Sequence, residues 1–161
     1  MTTLIAGFGN IFLGDDGFGP AVIEALDFDA FGHDVKIRDF GISGMHLALE
    51  MSAGYELVII VDAVARDDEP GTIFAIEAQS GQGATIDAHD MDVAGVLALY
   101  EELCEREKRT QRPRVVVIGC VPESLCEGMG LTGRVRAAIP ACIGLVHAFA
   151  GAKTPTGAAL P

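Results

Sequence analysis

The stretch "ELVIIVDAV", residues 56–64, restricts the fold more than any other part of the chain. Leu57 to Val61 are five successive aliphatic residues, four of them β-branched, and no polar residue alternates with them. A strand with one wet face alternates apolar and polar residues, so an unbroken run demands cover on both faces. Four further stretches read as strands: "TLIAGF" (3–8), "VKIRDF" (35–40), "TIFAIEA" (72–78) and "RVVVIGC" (114–120). Between them lie helical candidates at 19–28 and 44–53. A longer one covers 90–107, where Val93, Val96, Leu97, Tyr100, Leu103 and Cys104 form a single apolar stripe. A last helical region runs from Leu131 to Phe149, with a break or kink expected at Pro140. Strands alternating with helices predict the α/β class, as a three-layer αβα sandwich on a mostly parallel sheet.

With 161 residues, half of them apolar, the chain can bury one core and is short for two. Residues 1–150 are read as a single domain, and 151–161, "GAKTPTGAALP", as a disordered tail. Twenty glycines and no tryptophan suit a compact sheet with many tight turns. The 23 acidic against 11 basic residues leave a formal charge of −12, a field that repels nucleic acid and anionic lipid. No nucleic-acid or membrane partner is expected, and a neutral or basic one is. No run approaches the roughly 18 apolar residues of a membrane span, and "MTTLIAGFG" lacks a basic, then apolar, leader pattern, so a cytoplasmic location is expected. Cys104, Cys120, Cys126 and Cys142 form no CxxC pair and no zinc-knuckle spacing, and read as buried free thiols.

In an open α/β sheet ligands bind beyond the C-terminal ends of the strands, so chemistry is sought just after each apolar run. The loop "GFGNIFLGDDGFG" (7–19) follows the first run and invites a dinucleotide reading. It supplies only the first two glycines of that fingerprint, and it places Asp15 and Asp16 near the helix N-terminus that a phosphate would need free of anions. Asp15 is read as a helix cap, which leaves Asp16 surplus to capping. Asp62 ends the apolar run 57–61, where a charge needs a partner, and His89 opens the long amphipathic helix. Asp16, Asp62 and His89 together make a partial O,O,N set with open positions, suited to nickel or zinc. His33, His46 and His147 read as turn or helix residues without a role. No G-x-S-x-G elbow exists, and Ser43 and Ser124 have no histidine partner in view.

These stretches resemble the hydrogenase maturation proteases, endopeptidases that trim the C-terminal tail of the nickel-iron hydrogenase large subunit. The resemblance rests on "GFGNIFLGDDGFGPAVIEAL", "DFGISGMHLALEM", "ELVIIVDAV", "AHDM" and "VVVIGCVPESLCEGMGLTGRVRAAIP", and covers residues 3 to 150. It implies a phosphorylase/hydrolase-like αβα fold with a five-stranded mixed sheet, one strand antiparallel. It also implies that Asp16, Asp62 and His89 are the metal-binding and catalytic trio. The nickel is carried by the large-subunit precursor, which is both substrate and partner, so no permanently bound metal is expected. Two departures stand out. Position 42 is Ile where many members carry threonine, and position 16 is aspartate where some carry glutamate. Asp39 remains a candidate for substrate selection rather than metal binding.

The trio is expected to engage the precursor's nickel and so position the scissile bond, with a carboxylate or a water supplying the nucleophile. Two readings from other classes predict different behaviour. A metal-dependent hydrolase of small amides would hold its own zinc, and a non-catalytic nickel-binding or chaperone-like module would bind the precursor without shortening it. A nucleotide-binding domain would need affinity for anions, which the acidic loop disfavours.

Overall fold

The computed structural model describes residues 1–78 and 92–151. Five strands, β1 (Thr3–Gly7), β2 (Val35–Asp39), β3 (Leu57–Ala63), β4 (Ile73–Ala78) and β5 (Arg114–Cys120), form one sheet in the order β2-β1-β3-β5-β4. β1, β2, β3 and β5 are parallel, and β4 runs antiparallel along β5 at one edge. The sheet is therefore mixed and five-stranded, as expected.

The helices divide between its two faces. α1 (Phe18–Ala25) and α5 (Ile139–Ala150), with the short α4 (Gly133–Ala137), cover one side; α2 (Gly44–Met51) and α3 (Val93–Arg106) cover the other. β3 shows why an unbroken apolar run was necessary. Leu57, Ile59 and Val61 point into the core under α1 and α5, whereas Val58 and Ile60 point into the core under α2 and α3. All five are almost wholly buried. At about 25 cal/mol per Å2 of apolar surface, each such side chain contributes about 1.5–3 kcal/mol, so β3 anchors both halves of the core.

Three details differ from the sequence-based expectation. α3 begins at Val93, with Asp92 as its N-cap accepting from the Gly95 N–H at 2.9 Å, so the described helix starts three residues after position 90. The break in the last helical region falls at Ala138 rather than at Pro140, which sits in the first turn of α5, where a missing N–H removes no helical bond. Cys104, Cys120 and Cys142 are buried, but Cys126 is exposed in the loop before α4. The predicted disordered tail, beyond Gly151, lies outside the described residues.

Register sets the place of the site. Gly7 pairs with Asp39 on one side and Val61 on the other, which brings the ends of β1, β2 and β3 level. The chain leaves β1 toward β2 on one side of the sheet, and β3 returns on the other. The gap between the ends of β1 and β3 is thus the topological switch point, where such sheets bind ligands.

Candidate functional site

The glycine-rich loop after β1 is shaped by close contact, not by a phosphate. Gly9 has φ +136°, a region that favours glycine, and a Cβ there would lie 2.0 Å from the Asp16 carbonyl oxygen and 3.5 Å from Asp62 Oδ1. Gly19, at the start of α1, lets the helix seat on the sheet: a Cβ would lie 2.3 Å from the carbonyl oxygens of both Phe8 and Val61. A single 3-10 turn, Gly14–Gly17, then carries both acids of the Asp-Asp pair, and its neighbours in sequence have opposite fates.

Asp15 points away from the cleft and is fully buried. Its carboxylate accepts hydrogen bonds from the Glu123 and Ser124 N–H groups at 2.8 and 2.9 Å, and from the Thr132 N–H and hydroxyl at 2.7 and 3.0 Å. Burial pushes its carboxyl up, but the bonds from Thr132, Ser124 and Glu123 outweigh it and hold it below the usual carboxylate range. The expectation that Asp15 caps a helix is therefore corrected: neither the 3-10 turn nor α1 has a side-chain cap. Instead, Asp15 fastens the β1–α1 loop to the loop that follows β5. Backbone bonds from Gly14 to Gly128, from Gly128 to Phe12 and from Asp15 to Ser124 complete the seam.

Asp16 turns the other way and lines a cleft of about 740 Å3. One of its oxygens, Oδ2, accepts from the Asn10 N–H at 2.8 Å, which fixes the carboxylate against the cleft wall. Asp62 lines the same cleft from the end of β3 and is only 6% exposed. Among the described residues its Oδ1 is buried without a hydrogen-bond partner. Burial, reinforced by the negative charge of Asp16, pushes the Asp62 carboxyl up to about 8; the Ala63 N–H opposes the shift and Asp92 adds to it. A buried carboxylate with an orphaned oxygen beside a second carboxylate suits a cation and repels a phosphate.

Asp16 and Asp62 thus converge as expected from their strand-end positions. Asp39 does not join them. It ends β2, bonds the Gly41 N–H through Oδ1 at 2.8 Å, and lines a separate groove with Ile11, Glu24 and Met129. His89 lies outside the described residues. Two cleft residues were missed. Asp92, which falls inside the helix expected over 90–107, lines the cleft at the N-cap of α3. His46, read as a helix residue without a role, lines it from the first turn of α2. Both follow from the same rule that found Asp62, had the first turn of each helix been counted with the loop before it. Cys120, the one thiol at a strand end, is buried and pushed up to about 11, chiefly by burial, so it offers no thiolate at neutral pH.

Fold and cleft define an αβα protein with an acidic cleft at the sheet's switch point. The profile of the hydrogenase maturation protease family matches residues 20–148. The chain is 32% identical over 143 residues to the hydrogenase 2 maturation protease of Escherichia coli, covering 86% of this chain and 84% of that one. It is 34% identical over 153 residues to the coenzyme F420 hydrogenase subunit delta of Methanothermobacter thermautotrophicus, covering 89% and 90%. A solved hydrogenase-maturating endopeptidase from E. coli superposes with a TM-score of 0.76 at 29% identity, over 92% of this chain and 91% of that one. The chain belongs to the hydrogenase maturation protease family and is an endopeptidase of that class.

Proposed function

We propose that this endopeptidase removes the C-terminal extension of a nickel-loaded nickel-iron hydrogenase large-subunit precursor, and that the precursor's own nickel is what the cleft recognises. The observation that carries the reading is the Asp62 carboxylate, buried next to Asp16 with an oxygen that has no partner among the described residues. A buried acid in this state is protonated until a cation arrives. Cation binding then displaces the proton and supplies the missing partner. Asp16, already oriented by the Asn10 N–H, provides a second oxygen. His89 provides the nitrogen, as the open position beside two carboxylates requires.

On this reading the metal is part of the substrate, and the trio holds it so that the scissile bond lies over the cleft. Holding the reacting groups in place accounts for much of the rate, because a bound, oriented substrate has already lost the freedom that a bimolecular reaction must lose. Asp39 selects substrate from the adjoining groove. The four cysteines are free among the described residues, which fits a reaction in the cytoplasm.

Asp16→Asn, Asp62→Asn and His89→Ala should each lower kcat/KM for tail removal by about 100-fold or more, the loss that mispositioning a reacting group brings, with circular dichroism unchanged. Wild-type rates in all three variants would remove the trio from the site.

A further inference from the structure

The cleft is larger than a cation needs. A water occupies about 30 Å3, so an ion with six waters fills roughly 180 Å3, against the 740 Å3 present. Part of the remaining wall is apolar and unusually exposed: Ile42 at 69%, Met45 at 60% and Leu125 at 49% all line this cleft. Ile42 stands just before α2, Met45 in its first turn and Leu125 on the loop after β5, so they face the cleft from two separate parts of the chain. Exposed apolar side chains gathered on one cleft wall serve no core and mark a surface that binds.

We propose that Ile42, Met45 and Leu125 form an apolar subsite that seats a large hydrophobic side chain of the precursor segment flanking the cleaved bond, and so set sequence specificity. The proposal rests on the functional reading above. Its occupant is an extended polypeptide segment with an apolar residue next to a cationic group. The apolar lip takes the first, and Asp16 and Asp62 take the second. A chain of net charge −12 favours such a segment over an acidic one. The lip is also held in place before substrate arrives. The hydrogen bonds of Asp15 and the backbone bond from Asp15 N to Ser124 O fix the loop carrying Leu125, so little ordering remains to be done on binding.

The test uses the full chain with Ile42→Ser, Met45→Ser and Leu125→Ser combined, beside Ile76→Ser, which removes an equally exposed apolar side chain on the edge strand β4. Tail removal from the nickel-loaded precursor is measured, together with fluorescence anisotropy of a labelled peptide spanning the cleaved junction. The triple variant should raise KM at least tenfold, leave kcat within about twofold and weaken peptide binding by a similar factor, with an unchanged melting temperature; Ile76→Ser should match wild type. Wild-type KM and peptide affinity in the triple variant would overturn the subsite while leaving the protease reading intact. If wild-type protein fails to process the precursor, that reading falls, and the anisotropy comparison alone decides the subsite: equal affinities overturn it, and a tenfold loss upholds it.

Discussion

Asp15 and Asp16 are adjacent in sequence and opposite in function, because a 3-10 turn rotates successive side chains by about a third of a turn. One is buried among donors, and the other faces the cleft. Asp62 is a third kind of acid, buried without enough donors. Its carboxyl, pushed up to about 8, binds a proton in the folded state that the unfolded chain, with an ordinary carboxyl near 4, has already released. The folded state therefore holds the extra proton, and metal-free stability falls as pH rises from about 4 to about 8, by up to about 1.4 kcal/mol per pH unit. Asp62→Asn removes this penalty. In the presence of a chelator its melting temperature should exceed that of wild type by a margin that widens between pH 5 and pH 8. A margin that stays constant or narrows would mean that Asp62 is ionised throughout and finds a partner in the metal-free fold.

At the scale of elements, the cleft exists because two loops far apart in sequence are fastened together through one side chain. Asp15→Ala would strand the Glu123, Ser124 and Thr132 N–H groups that it now satisfies. Leaving these part-buried donors unpaired costs on the order of 3 kcal/mol, a fall of about 6–12 °C in melting temperature for a domain of this size. The carboxyl is held below its ordinary range, so the bonds contribute fully above pH 4 and are lost as pH falls through the lowered value. The gap between wild type and variant should accordingly shrink in acid. A melting temperature within 2 °C of wild type at pH 7 would show that the seam is held by its backbone bonds alone. This seam was not legible in the sequence. Asp15 precedes its partners by more than 100 residues, and local spacing favours the nearer explanation, a helix cap.

At the scale of the molecule, much could be read from the chain because covering both faces of a parallel sheet leaves so plain a mark. All five strands were legible to within a residue or two, since runs such as Val115–Ile118 admit few alternatives. The strand-end rule then found Asp62 and Asp16. It overlooked His46 and Asp92 because a helical pattern hides the fact that a helix's first turn belongs to the rim. It also could not foresee that Asp39, at the same level of the sheet as Gly7, would open onto a neighbouring groove, with its Oδ1 accepting from the Gly41 N–H of its own loop. Among the described residues no helix is long and apolar enough to cross a membrane.

The central claim is that an acidic cleft reads the metal that its substrate carries. The measurement that tests it most directly is intact mass of the large-subunit precursor from the same organism after incubation with this protein, in nickel-loaded and nickel-free samples side by side. Loss of a tail-sized fragment is expected from the nickel-loaded sample alone. Equal loss from both would contradict recognition through nickel, and no loss from either, with binding demonstrated, would make the protein a chaperone of the precursor instead of its protease.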